Sequence, residues 1–480
     1  MKKLINIIAM TFFIMLMSCD EDFINLEPTD TVSVKNLFLT DSDFNDAVNG
    51  CYSGLAEVYD TWWVYGDMRA DDSYDELLKG RSVFDLFSLD VNDGTVSTSW
   101  RNWYIVVSRV NEVLAQIEDK DIPNKDRHIG EAKFIRALAY FNLVRIFGDV
   151  PMLTDPVTST EAYSIPREPL DNIYNTLIIP DLLVAENALP VSYSGPLVGK
   201  ATKGAAKSLL AEVYLTLKDF TKAETKLQEL TVAPFTYALL ENYDDLFFYD
   251  KGEHHSEYIF DIEYITGGLG LGNPWTNQFT PKDPPTLVFY GIADGDGQNN
   301  APFELRDIFP AGDLRLYMTF ANGFTDADGV FHQLMPNSND VQTYTRKYIF
   351  VTQSSSYDSG ANWKVYRYAD VLLMYAEALN ENNKTAQALL YFNMVHERAG
   401  LTPIAEGLSQ SAMRDSIALE RRLELSFEGK RWFDLVRTGK ALETMAPTGM
   451  KDYMNIWPVP QNQIDLYNNT DIFWQNPGYN

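Results

Sequence analysis

The feature that most constrains this chain is a pattern of large, small and aromatic residues that occurs twice at helical spacing, far apart in the sequence. In ATKGAAKSLLAEVYLTLKDFTKAETKLQEL, Leu210, Ala211, Tyr214 and Ala223 supply a large, a small, an aromatic and a second small side chain. In YADVLLMYAEALNENNKTAQALLYFNMVHERAGL, Tyr375, Ala376, Leu379, Ala388 and Phe392 hold comparable places, with Asn382 and Asn383 at the turn. Small residues at such places let two helix axes come close, so each stretch predicts an antiparallel helix pair. A lone pair cannot bury its apolar face, so both belong to a stacked helical body.

The offsets resemble those of tetratricopeptide helix pairs. Helical periodicity runs from Asp43 to about Leu230 and returns from Tyr366 to about Arg437, whereas Thr231 to Lys364 is rich in Gly, Pro, Asp and aromatic residues. The pattern predicts a mostly α fold, a tetratricopeptide-like helical scaffold whose first part spans 43–230 and whose second part, with a C-terminal tail, spans 365–480. Residues 231–364 are expected to form a large, irregular, loop-rich insertion carrying ligand contacts, because a loop of that size in a compact protein usually has a function. A further helix is legible in EAKFIRALAYFNLVRIFGDVP, with Ala132, Ile135, Ala139, Leu143 and Ile146 on one face, Gly148 as its stop and Pro151 beyond.

The N-terminus predicts a location. Lys2 and Lys3 precede an uncharged, mostly apolar run from Leu4 to Met17, and Leu16-Met17-Ser18-Cys19 closes it with a small-residue cleavage site. Residues 1–18 read as a signal peptide, since the run is shorter than the roughly 20 residues a transmembrane helix needs. A cysteine at that junction resembles the lipobox of bacterial lipoproteins, in which it becomes the acylated first residue. Cys19 is thus the expected lipidation site, and 19–42 the lipidated leader. Cys51 is the only other cysteine, so acylation of Cys19 leaves no intramolecular disulfide, and Cys51 reads as a buried inert thiol.

Charge and motif content narrow the chemistry. The formal net charge of −28 repels phosphate backbones, so no nucleic acid partner is expected. No G-x-S-x-G elbow, P-loop or H-E-x-x-H occurs. Adjacent His254 and His255 make a poor chelate, so no catalytic or metal residue is assigned and no cofactor is expected. Asp294-Gly295-Asp296-Gly297 and Asp326-Ala327-Asp328-Gly329 begin like calcium loops, but Leu305 and Asn337 stand where a late acidic ligand belongs. They read as turns, with a surface calcium ion left open. Aromatic residues make up 13% of the chain, more rings than a core needs, and sugars stack on flat rings edged by hydrogen-bonding groups.

Segments spread from end to end resemble the SusD/RagB family of outer-membrane nutrient-binding lipoproteins: CDEDFINLEPTD, RADDSYDE, WRNWYIVVSRVNEVL, FIRALAYFNLVRIFGDVP, ATKGAAKSLLAEVYL, YRYADVLLMYAEALNE, ERRLELSFEGKRWFDLVRTG, WPVPQNQI and QNPGY. The resemblance covers essentially the whole chain. It implies a lipid-anchored, surface-exposed outer-membrane protein that binds oligo- or polysaccharide without catalysis and delivers it to a SusC-like TonB-dependent transporter. A peptide-binding RagB-like lipoprotein is the alternative within the family, and a secreted glycoside hydrolase the alternative outside it. In ERRLELSFEGKRWFDLVRTG the alternating charges are expected to pair along helices while Leu423, Leu425, Phe427, Trp432, Phe433 and Leu435 pack inward.

Two stretches carry the sugar-binding candidates. In TWWVYGDMRADDSYDE, Trp62, Trp63 and Tyr65 precede Asp67, Arg69, Asp71 and Asp72. The resemblance implies ligand contacts from this neighbourhood and from the start of the next helix, where Trp100 and Trp103 stand, although the helical spacing of these two favours the core over the site. In GLGLGNPWTNQFTPKDPPTLVFYG, Gly and Pro place Trp275, Asn277, Gln278 and Tyr290 on irregular backbone. Trp275 is expected to be displayed there as a platform whose removal the fold would barely notice.

Overall fold

The computed structural model describes residues 37–75, 82–249, 251, 253–281, 295–325, 328–334, 343–350 and 353–479. The segment read as a signal peptide, Cys19 and the expected leader up to residue 36 lie outside the described residues, as do Tyr290, Asp294 and Asp326. Helix α1 (Asp41–Tyr59) starts at a capping box: the Thr40 hydroxyl accepts from Asp43 N, and Asp43 accepts from Thr40 N at 2.7 Å. A single turn, α2 (Trp62–Gly66), is followed by α3 (Gly94–Ile117), capped by the Asp93 carboxylate on Thr95 N at 2.7 Å. Helix α4 (Lys125–Phe147) stops at Gly148, whose φ of +73° suits a residue without Cβ. Then come α5 (Ile179–Ala188), α6 (Lys203–Thr216) and α7 (Phe220–Leu230).

The insertion contributes strand β1 (Tyr258–Ile262), the short helix α8 (Trp275–Phe279), a hairpin of β2 (Gly323–Thr325) and β3 (Phe331–Gln333), and strand β4 (Trp363–Arg367). β1 and β4 pair antiparallel, with Asp261 opposite Lys364. β4 runs directly into α9 (Tyr368–Glu381), followed by α10 (Thr385–Arg398), α11 (Gln410–Leu425) and α12 (Arg431–Arg437).

The fold is mostly α, and its helices pack as a chain of neighbours: α1 on α3, α3 on α4, α4 on α5, α5 on α6, α6 on α7, and α7 on α9, which also packs on α10 and α11. Because α7 meets α9 directly, the segment between them leaves and rejoins one continuous stack. The residues of both repeated patterns, from Leu210 and Ala211 to Ala388 and Phe392, are buried at these contacts. Among the described residues no helix is long and apolar enough to cross a membrane.

Two elements differ from their sequence reading. Helix α4 is wrapped on all sides rather than on one face: from Glu131 to Phe147 only Lys133 and Arg145 escape full burial. Its buried charges survive there because they are paired. Arg136 donates to Asp181 at 2.7 Å and to Asn111 at 2.9 Å. In ERRLELSFEGKRWFDLVRTG some charges pair within the motif, as Arg421 does with Asp434 at 2.8 Å, but its three central glutamates are buried partners of distant cations. Glu428 takes Arg367 of β4 at 2.7 Å and Lys347 at 2.8 Å. Glu420 takes Arg315 at 2.7 Å, and Glu424 is shared by Arg315, Arg367 and Arg398. Local spacing could not reveal partners so distant in sequence. Such a cluster adds little net stability when complete, but losing one member leaves a buried charge uncompensated, at a cost of about 3–5 kcal/mol. It bolts the insertion to α11.

Candidate functional site

The structure corrects most of the sugar-platform reading. Trp62, Trp63 and Tyr65 are buried: Trp62 stacks on Phe433 at 5.4 Å between centroids, and Tyr65 on Trp457 at 4.5 Å. α2 is wedged so tightly that Gly66 touches the backbone of Gly429, where a Cβ would have no room. Asp67 is buried too, and accepts from Gly429 N at 2.8 Å; burial lifts its carboxyl to about 8. The Arg69 guanidinium lies 4.7 Å from the centres of both the Phe87 and Trp432 rings, and burial lowers it to about 10. Asp71 is clamped by Arg422 at 3.0 Å and Arg431 at 2.8 Å, and Asp72 by Arg422 at 2.6 Å. RADD thus reads as the partner of the ERR motif rather than as a ligand loop.

Trp100 is core, as its helical spacing favours, and packs edge-on against Phe147 and Phe473, at 5.0 and 5.8 Å. Trp275 is the largest correction. Its exposure is 0%, its ring sits among Tyr264 at 4.8 Å, Trp363 at 4.9 Å and Tyr348 at 5.7 Å, and its Nε1 donates to Asp60 O at 3.0 Å. The glycines and proline around it form a bend that turns the ring inward. Asn277 is buried and accepts from Tyr357 N at 2.7 Å, and Gln278 is buried beside it. Side chains of this kind hold backbone in place and do not display a platform.

What the described residues do expose lies elsewhere. The aromatic rings most open to solvent, Tyr317 at 49%, Phe331 at 54% and Tyr357 at 44%, all belong to the insertion. Close to Tyr357 the insertion also forms the lip of a cleft of about 530 Å³. One wall is the C-terminal half of α1, with Tyr52, Glu57 and Asp60; the facing wall is β1 and its extension, with Asp261, Glu263 and Tyr264. Tyr249 and Glu253 close a third side.

The lip is the glycine-rich run from Ile265 to Gly272. Gly267, Gly268 and Gly270 have φ of +131°, +72° and +71°, a backbone path other residues rarely take. One carboxylate holds it: Asp358 accepts from Gly267 N and Gly268 N, both at 2.8 Å, and from Ser354 Oγ at 2.5 Å. The Ser354 hydrogen bond and then the two amides hold that carboxyl down at about 2. The looping leaves Ile265, Leu269 and Leu271 exposed at the mouth.

Inside, several carboxylates are pushed toward neutrality, while Glu263 takes His254 at 2.9 Å and Asn362 at 2.7 Å. Burial lifts Asp60 to about 7, with Glu57 adding repulsion. Burial and then Glu263 lift Glu253 to about 7, and burial lifts Asp261 to about 6. None of these acids figured among the sequence candidates. The available signal was the last turn of α1, where Glu57 and Asp60 stand at the negative end of a helix with no basic residue.

Known proteins bear on this arrangement. A family model described as the SusD family matches residues 272–479, and a second, described as starch-binding associating with outer membrane, matches residues 23–215. SusD-like protein P2 of Formosa agariphila is 28% identical over 98% of this chain and 99% of its own length. A laminarin binding SusD-like protein of known structure is 27% identical and superposes with a TM-score of 0.75, covering 92% of this chain and 100% of that one. Surface glycan-binding protein A from Bacteroides thetaiotaomicron shares the fold, with a TM-score of 0.78 at 24% identity over 92% of this chain and 100% of that one.

Proposed function

The chain belongs to the SusD family, and on that premise we propose that it is a non-catalytic carbohydrate-binding lipoprotein of the bacterial outer membrane. In this reading it captures oligo- or polysaccharide at the cell surface and delivers it to a SusC-like TonB-dependent transporter. The observation that carries the proposal is the cleft of about 530 Å³, in which Tyr52, Tyr249 and Tyr264 alternate with carboxylates. A pyranose ring offers an apolar C–H face for stacking and a rim of hydroxyl donors, and this lining supplies rings and acceptors. The named ligand of the laminarin binding relative and the outer-membrane description of the matching family model support the same reading. Anchoring falls to Cys19, where several acyl chains together give stable membrane attachment.

The test is isothermal titration of the soluble chain, starting at Asp20, against a panel of oligosaccharides that includes laminarin fragments. Tyr249→Ala should weaken binding of the best ligand about tenfold, the scale of one stacking contact. No binding to any glycan in the panel would overturn the carbohydrate reading. Release of reducing sugar by the wild-type chain would overturn the non-catalytic one.

A further inference from the structure

The lip and the edge that faces it across the cleft are held very differently. Pro196, Val198 and Gly199 form that edge. Ala201 N donates to Tyr52 Oη at 2.9 Å, and Lys200 donates to Asn45 at 2.9 Å and to Glu131 at 3.1 Å. Gly199 lies so close to the Glu263 side chain that a Cβ there would meet it at 3.0 Å. This contact marks where the two rims of the mouth part, because Ile265, the first residue of the lip, follows Glu263 by two positions.

The lip is tethered at its base. Ile265 N donates to Leu271 O at 3.0 Å and closes the run into a loop, Asp358 takes the amides of Gly267 and Gly268, and Ser354 N donates to Thr266 Oγ1 at 2.9 Å. The tip, Leu269 and Gly270, makes no hydrogen bond among the described residues. Gly268 and Gly270 flank Leu269 in the left-handed region, and neither has anything within 4 Å of where a Cβ would stand. The backbone on both sides of that leucine is free to turn.

What the tip carries is apolar. Leu269 is 69% exposed, more than any other large apolar side chain described, with Ile265 and Leu271 half exposed beside it and Val198 exposed across the mouth. Four aliphatic side chains left in water around one opening cost free energy that their mutual burial would recover. The reach is short, since Leu269 stands two residues from Leu271, which already lines the cleft, and two residues of chain span about 7 Å.

We propose that the lip is a lid: turning at Gly268 and Gly270 carries Leu269 over the mouth onto Pro196 and Val198 and shuts the cleft. This deepens the carbohydrate reading above and rests on it, because closure would slow the release of a bound saccharide, the step in which most differences of affinity lie. The test is a cysteine pair, Val198→Cys with Leu269→Cys, in the soluble chain starting at Asp20 and without any sugar. Both positions are exposed and the remaining cysteine, Cys51, is buried, so neither the fold nor the background reaction should change. Under diamide the pair should form an intramolecular disulfide, read as a linked peptide in a tryptic digest. It should form at least tenfold faster than in a control pair, Val198→Cys with Leu390→Cys, whose second position is similarly exposed on α10. A rate equal to the control overturns the lid. Any glycan of the panel above that binds in titration should raise the rate at least threefold, and an unchanged rate with such a glycan bound also overturns it. Failure of every glycan to bind would instead sink the carbohydrate reading, and the sugar-free rate then decides the lid alone.

Discussion

Replacing Trp275 with alanine separates the displayed-platform reading from the structure most sharply. A displayed ring could be removed with almost no cost to the fold. The observed ring is fully buried among Tyr264, Tyr348 and Trp363 and donates a hydrogen bond to Asp60 O at 3.0 Å. Truncating a buried tryptophan to alanine costs about 3–5 kcal/mol, and losing the hydrogen bond adds about 1 kcal/mol. That is a large part of the 5–15 kcal/mol that usually separates folded from unfolded protein. Urea unfolding followed by far-ultraviolet circular dichroism avoids the loss of a fluorophore, and an unchanged m-value would certify that the same transition is compared. Trp275→Phe keeps most of the ring contact and should fall between. A Trp275→Ala destabilisation below about 1 kcal/mol would refute the burial argument, because no well-packed aromatic cluster loses its largest member so cheaply.

Three further outcomes are expected. Cys19→Ala should leave a folded protein that no longer partitions with outer membranes in cells lacking any SusC-like transporter, and retention in the membrane fraction would defeat the proposed anchor. Although burial opposes its charge, Glu212 is held down at about 2 by Lys430 and Arg145, against an ordinary 4.5, so it contributes stability above about pH 4.5 that is lost as the pH falls toward 2. Glu212→Gln should therefore flatten the stability profile within that window, as read by urea midpoints at stepped pH. Asp358→Asn should speed amide hydrogen exchange at Gly267 and Gly268 while leaving Ile259 to Ile262 protected, and equal exchange in both proteins would show that the lip is held by something else.

Much of the scaffold was legible because its signals are local. Leu210, Ala211, Tyr214 and Ala223 announce a helix pair by spacing alone, and Gly148 ends α4 through its own backbone freedom. The burial of a particular ring is not local. Trp62 is core because Phe433 stacks on it, and Tyr65 because Trp457 does, partners that lie hundreds of residues away. Asp71 and Asp72 look like solvent-facing ligand groups until Arg422 and Arg431 arrive from the far end of the chain. The cleft was hidden for the same reason. Asp60 and Asp261 are unremarkable in their own segments, and only the approach of β1 to the end of α1 makes them neighbours.

The two sides of that cleft differ in stiffness, and the difference bears on how it selects. Asp261 is opposite Lys364 in the β1–β4 ribbon, and β4 ends at Arg367, whose guanidinium is fixed by Glu257, Glu424 and Glu428. Moving this wall means breaking a buried ion cluster, at several kcal/mol, so its carboxylates keep their positions when the cleft is empty. The facing lip is the opposite case. Gly267, Gly268 and Gly270 have nothing within 4 Å of where a Cβ would stand, and the hydrogen bonds that fix the first two all converge on Asp358. Groups that need no rearrangement discriminate well, because a ligand that does not match them cannot recover the loss by moving the wall. A lip with open space around it discriminates poorly by shape and can settle over oligomers of different length. The cleft should therefore be strict about the fit of the unit bound against the wall and tolerant of what extends past the lip.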